Sequence, residues 1–310
     1  MPRYKLTVAY DGTAFHGWQK QEPLAPDPDD PLAPRLPGEP EALEDKPGRV
    51  ALRTVQHVLE QAVRETIREP ITLVGASRTD AGVHAWGQVA AFTSIPDPDR
   101  GVGWPAERGC DTLVRALNAR LPDDLLVRDA EVVDDAFEPI GGATSKGYSY
   151  TIHASPTRPL WDRRYVYHTW HELDVAKMQE AARHLVGTHD FASLAAAGHG
   201  RQTTVRTIFS CAVTELPPVV AFSNRPDPPP PGGAGVPPAI PFLTTRLRID
   251  VTGDGFLYNM VRILAGTLVE VGRGKLEANS IPKILESRDR ANAGPTLPPE
   301  GLRLEWIRYT

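Results

Sequence analysis

Residues 3–10 (RYKLTVAY) alternate apolar and polar positions, the period of a half-buried strand, and the turn dipeptide Asp11-Gly12 follows. Over 50–69, Leu52, Val55, Val58, Leu59, Ala62, Val63 and Thr66 recur at helical spacing. Strands are predicted at 71–76 and 86–93 with a short loop between them, then a helix over 109–120 and a strand over 124–133. The second half repeats the theme. Strands are expected at 144–153 and near 164–170, and a helix opens at Asp174, a good N-cap, and runs to Leu185. Long strands at 203–215 and 242–252 precede helices at 257–271 and 279–287, and a strand closes the chain at 303–309. Each half mixes β-hairpins with one or two helices, which predicts an α+β fold with helices on one face of a largely antiparallel sheet. No GxGxxG follows a strand and no Walker A sequence occurs, so nucleotide-cofactor folds find no support.

Two stretches interrupt this periodicity. Of 31 prolines, seven fall in 22–46 and ten in 217–241. Both stretches read as extended or disordered insertions, and because strongly periodic segments flank each, they are placed within domains and not between them. A chain of 310 residues suggests two domains, and 41% hydrophobic content is ample for cores without disulfide or metal staples. The two cysteines, Cys110 and Cys211, lie far apart without CxxC spacing, which argues against a disulfide framework or a thiolate zinc site. No apolar run approaches the ~18 residues of a membrane helix, and the chain does not open with a basic and then apolar signal. A reduced cytoplasmic location is the simplest expectation. The net charge of −5 changes meaning once mapped. Residues 22–46 carry eight acids and two bases, and the remainder holds 32 basic against 31 acidic residues. A near-neutral body permits a basic cleft and an RNA partner without predicting one.

Three stretches carry candidate chemistry. In GASRTDAGVHAWGQVAAF (75–92), Asp80-Ala81-Gly82 supplies turn residues between two strands, with Arg78 and His84 nearby. Asp80 either caps that turn or, kept ionised beside an arginine, serves as a nucleophile or base on a rigidly held loop. In GDGFLYNMVRILAGTLVEVG (253–272), Leu257, Val261, Leu264, Ala265, Leu268 and Val271 mark one helical face, and Arg262 sits inside the apolar run. It is either a solvent-facing charge or a partly buried one that needs an acidic partner, Asp80 being a candidate. In ATSKGYSYTI (143–152), Tyr148 and Tyr150 share a strand face, suited to the core or to stacking on an unpaired base. Asp190 in GTHDFASL fits a turn cap as readily as a ligand contact, and His168 with His171 lacks the company a metal site needs.

The segments YDGTAFHGWQKQ, SRTDAGVHA, HDFASL, VRTI, GFLYNMVRILAGTLVEVGRGK and PEGLRL, in this order, resemble the TruA family of tRNA pseudouridine synthases. The resemblance spans both halves and leaves out the proline-rich insertions. It implies two ferredoxin-like (RRM-like) αβ domains whose mainly antiparallel sheets join around a central active-site cleft. The corresponding limits are 1–137 with the acidic insertion 22–46, and 138–310 with the insertion 217–241. It further implies a homodimer, no metal or cofactor, and isomerisation of uridine to pseudouridine in the anticodon arm of tRNA. By motif match Asp80 takes the catalytic position and Arg78 that of the arginine assisting base entry. Tyr148 takes that of the tyrosine stacking on the uracil, Arg262 that of the arginine pairing with the carboxylate, and Leu302 falls in a motif lining the base pocket. The family's run shaped like FHARFSAT reads FEPIGGAT here, with Glu138 and Ile140 at the His and Arg positions, so a phosphate-gripping pair is missing at that point. Two rival readings stand beside this one: a non-catalytic RNA-binding module of ferredoxin-like fold, and a hydrolase with Asp80 as base.

Overall fold

A computed structural model describes residues 1–24, 41–42, 48–196, 203–217 and 245–310. In chain order it runs β1 (Arg3–Tyr10), β2 (Glu41–Ala42), β3 (Val50–Ala51), α1 (Val55–Ile67), β4 (Val74–Gly75), β5 (His84–Thr93), α2 (Cys110–Asn118), β6 (Leu125–Val133) and β7 (Ala143–Ala154). There follow β8 (Tyr167–Thr169), α3 (Val175–Arg183), β9 (Gly187–Asp190), β10 (Val205–Leu216), β11 (Thr245–Gly253), α4 (Met260–Gly272), α5 (Ile281–Ser287) and β12 (Leu302–Tyr309). The architecture is mixed α/β, and the strands pair mostly antiparallel.

The chain forms two compact units. The first comprises Met1–Tyr148, Thr252–Gly255 and Arg303–Thr310, and the second Ser149–Val251 and Phe256–Leu302. In the first unit the strand order is β6-β1-β5-β12, then β7 as far as Tyr148. β1 pairs antiparallel with β5 and β6, whereas β12 meets β5 in parallel, Arg303 opposite His84. Alternation along β1 buries Tyr4, Leu6 and Val8 in the core of this unit, where Leu59 and Val63 of α1 and Leu113 and Leu117 of α2 are fully buried as well. Each such side chain contributes ~1.5–3 kcal/mol on leaving water. Tyr4 stacks on Phe92 at 5.3 Å and donates its hydroxyl proton to the Trp104 carbonyl. In the second unit the rest of β7 is followed by β11, β10 and β9, with β8 parallel to β7. Its core includes Ile152, Met178, Leu247, Ile249, Leu264 and Ile281.

Several elements differ from the sequence pattern. Residues 50–51 form strand, not helix, because they pair with β2, and α1 starts after Thr54, whose hydroxyl accepts from His57 N–H. The strand expected at 71–76 shortens to β4, because a buried neighbour, Glu60, captures the Leu73 N–H instead. Strand β9 was not expected; it pairs with β10. Helix α4 is not one-faced. Met260, Val261 and Ile263–Val269 are all buried, so the helix packs on every side except near Arg262 and Glu270. The helix can seat so deeply because Gly266 presses on a neighbouring segment: a Cβ there would lie 1.9 Å from the Pro295 carbonyl oxygen.

Most of the acidic stretch 22–46 and of the stretch 217–241 lies outside the described residues. The described rim of the first is paired, not irregular. Leu24 bridges Arg49, and Val50 N–H donates to the Pro23 carbonyl. Backbone pairing needs no side-chain alternation, so periodicity could not reveal it.

Candidate active site

The loop between β4 and β5 is held from behind by the segment after β1. Gly12 sits so close that a Cβ would lie 2.0 Å from the Val83 carbonyl oxygen, so this approach needs glycine. His84 Nδ1 lies 3.0 Å from the Gly12 N–H and 3.2 Å from the Asp11 carboxylate. Trp18 N–H donates to the Thr79 carbonyl, and Gly82 N–H to the Phe15 carbonyl. The Asp11 carboxylate caps its own turn, accepting from the Thr13 N–H and hydroxyl.

Within the loop, exposure alternates. Thr79 is buried, Arg78 is exposed and Asp80 is half-buried. Val83 N–H closes a turn onto the Asp80 carbonyl, so the turn expected from Asp80-Ala81-Gly82 is present, made by the backbone. Beneath it, the Tyr10 and Thr79 hydroxyls share a hydrogen bond of 2.7 Å, and those of Ser77 and Tyr148 one of 3.1 Å. Tyr148, at the end of the unit's share of β7, is buried at 7% exposure. Burial pushes its hydroxyl pKa up, the Ser77 hydrogen bond lowers it, and the negative charge of nearby Asp80 raises it again, to about 12. Tyr148 is therefore a neutral phenol at physiological pH. Tyr10 is likewise held above its ordinary value, chiefly by burial, against the lowering hydrogen bonds of Thr79 and Gln88. The first unit thus gathers Asp80, Tyr148, Ser77, Thr79 and Tyr10 around one loop, with Lys146 Nζ donating to the Ala76 carbonyl from the same strand as Tyr148.

The remaining motif residues stand in the second unit. Arg262 is half-buried, not solvent-facing. Its Nε donates to the Leu297 carbonyl at 2.7 Å and its Nη1 to Asn259 Oδ1 at 2.8 Å, and Leu297 N–H returns a bond to the Arg262 carbonyl. Asn259 adopts a left-handed conformation (φ 59°) at the helix start, a conformation asparagine tolerates better than most residues. Leu302 is buried at the start of β12. Tyr150, which shares the strand pattern of Tyr148, is fully buried and donates to the Pro298 carbonyl at 2.7 Å. Its hydroxyl is pushed well above the ordinary tyrosine value, chiefly by burial and then by Glu300, with Arg262 opposing.

Other candidates make structural contacts. Asp190 accepts from Ala192 N–H and the Thr204 hydroxyl and pairs with Arg288 at 2.9 Å, so it caps a turn. His168 Nε2 bonds the Ser155 carbonyl. In FEPIGGAT the exposed Glu138 accepts Gly142 N–H at its carbonyl, and the Tyr309 hydroxyl anchors the Pro139 carbonyl. Ser77, Thr79, Tyr10, Lys146 and Gln88 carry no motif of their own that marks them along the chain. The one local signal was a polar glutamine inside the apolar run WGQVAAF, since buried polar groups in a strand require partners.

Residues 181–310 match the family model described as tRNA pseudouridine synthase. Over its full length the chain is 37% identical, across 309 residues, to a tRNA pseudouridine synthase A of Acetivibrio thermocellus, with 100% of each chain covered. It is 37% identical to the protein of the same name from Bacillus subtilis, with 99% of each covered, and 36% identical to that of Geobacter sulfurreducens, with 100% of each covered.

Proposed function

The chain belongs to the tRNA pseudouridine synthase family, an isomerase family acting on tRNA uridine, and from that premise we propose that Asp80 is the carboxylate that carries the reaction. The observation supporting this assignment is the placement of Asp80 on a loop clamped from behind, half-open to solvent, with the neutral Tyr148 close enough to feel its charge. Converting uridine to pseudouridine breaks the N1–C1′ bond and makes a C5–C1′ bond, with no net oxidation and no water consumed. A carboxylate serves this chemistry by attacking base or sugar, or by assisting formation of a glycal. The base must leave its stack, at a cost of a few kcal/mol.

In this reading the exposed Arg78 assists entry of the flipped nucleotide by meeting its phosphates or filling the vacated stack. Tyr148 offers its ring to the uracil. Arg262 supplies the positive charge that pairs with the carboxylate, and Leu302 lines the base pocket. The substrate is the anticodon arm, the units are ferredoxin-like αβ folds, and the working form is a cytoplasmic homodimer.

The decisive experiment maps pseudouridine in tRNA after incubation with the wild type and with Asp80→Asn. The amide keeps size and turn geometry but is no anionic nucleophile. Expected is loss of pseudouridine with tRNA binding retained; isomerisation at a near-normal rate would remove Asp80 from the mechanism. Free uracil in the wild-type reaction would point to hydrolysis instead.

A further inference from the structure

Gln88 lies on β5, fully buried, in a stretch otherwise made of apolar residues. β4 pairs with β5 through Val74 opposite Ala91 and Gly75 opposite Ala90, and Ala76 N–H still donates to the Val89 carbonyl. The backbone pairing goes no further, and β4 ends at Gly75. At the next position the Gln88 side chain takes over. Its Oε1 accepts from Ser77 N–H at 3.2 Å, and its Nε2 donates to the Ser77 carbonyl at 2.6 Å. The same Oε1 accepts Val89 N–H at 3.1 Å, which folds the side chain back along its own strand. A primary amide presents one acceptor and one donor side by side, the pair of functions a backbone partner would offer.

We propose that Gln88 is a positioning residue for the isomerisation: its amide substitutes for a missing strand partner and sets Ser77, and through Ser77 the hydroxyl of Tyr148 and the start of the Arg78–Asp80 loop. The proposal rests on the reading of Asp80 and Tyr148 given above. Ser77 is the last residue before that loop, and its Oγ meets the Tyr148 hydroxyl at 3.1 Å. A shift at Ser77 is passed both ways, to the tyrosine by the hydroxyl contact and to Asp80 by the chain. Misplacement of reacting groups by about 1 Å can cost on the order of 100-fold in rate.

Two variants test this. Gln88→Met keeps length and volume but holds neither polar group of Ser77. It should lower kcat on tRNA about 10- to 100-fold with KM within about twofold, in protein whose circular dichroism matches the wild type. Gln88→Glu provides the control for a merely structural effect. A neutral carboxyl both donates and accepts, whereas a carboxylate only accepts. The ratio of its kcat to that of the wild type should therefore rise as pH falls and drop as the buried acid ionises. Wild-type kcat in Gln88→Met, or a pH-independent ratio for Gln88→Glu, would overturn the proposal. Asp80→Asn, run in parallel, separates the two readings. If it is inactive while Gln88→Met is fully active, only the positioning role falls; if it stays active, the catalytic reading itself is wrong.

Discussion

The loop bearing Asp80 and the helix start bearing Arg262 are both fixed in place, but by different forces. The loop is held by polar bonds of long sequence reach: Trp18 to Thr79, Tyr10 to Thr79, Gln88 to Ser77, Ser77 to Tyr148. Each contributes a net ~0.5–1.5 kcal/mol, and leaving a partner buried and unpaired costs more. Arg262 is held by an α4 buried on nearly all sides, where many apolar contacts share the load, while its guanidinium and carbonyl bond Leu297 and Asn259. A polar clamp defines geometry sharply and fails at single atoms. An apolar socket yields mainly to changes of volume.

The largest effect on this contrast should come from Arg262→Lys. Lysine keeps the charge but loses the planar fork that reaches Leu297 and Asn259 together. On the role proposed above for Arg262, activity should fall about 100-fold, as a misplacement of about 1 Å can cost, with little change in melting temperature because the socket is untouched. Full activity would assign Arg262 to architecture alone.

Next come two closely matched steric insults. Gly266→Ala places a methyl 1.9 Å from the Pro295 carbonyl oxygen, and Gly12→Ala places one 2.0 Å from that of Val83. At Gly266 the ~1 kcal/mol gained from helix propensity is outweighed by an overpacking cost of about 3 kcal/mol or more. Denaturant unfolding should show that loss. Gly12→Ala should instead push the loop aside, lowering turnover more than stability. Equal stability losses, with equal activities, would erase the distinction between clamp and socket.

The smallest effect concerns pH. The Tyr148 pKa is raised to about 12, mainly by burial, so its neutral form is favoured by folding. That contribution is whole below the unfolded tyrosine value of 10.0 and is lost as pH rises through the folded value. Wild type should therefore lose stability between pH 10 and about 12, and Tyr148→Phe should lose less over that window. Parallel alkaline melts of the two proteins would show it; identical slopes would remove Tyr148 as a contributor.

Much of this was legible along the chain. Period-2 alternation marked β1, helical spacing marked α1 and α4, and Asp174 caps α3 as its residue type suggests, accepting Lys177 N–H at 3.0 Å. These signals are local, because a strand or helix repeats within a few residues and a cap acts within one turn. The loop 75–84 was equally visible from its turn residues and clustered charge.

What tertiary structure alone decided is which distant groups meet. Ser77 and Tyr148 are 71 positions apart, Tyr10 and Thr79 are 69, and no periodicity relates them. Pairing of β2 with β3 turned the start of an apparent helix into strand. Packing around α4 decided between the two readings of Arg262, leaving it half-buried on a helix covered on nearly every side. In the motif, Asp80 and Arg78 are visible as residue types on a turn. The clamp that orients them is written in glutamine, serine and tyrosine, whose roles depend on what a folded neighbour places within about 3 Å. A hydrogen bond is satisfied in space and not along the chain, so its partners stay hidden until the strands have taken their register.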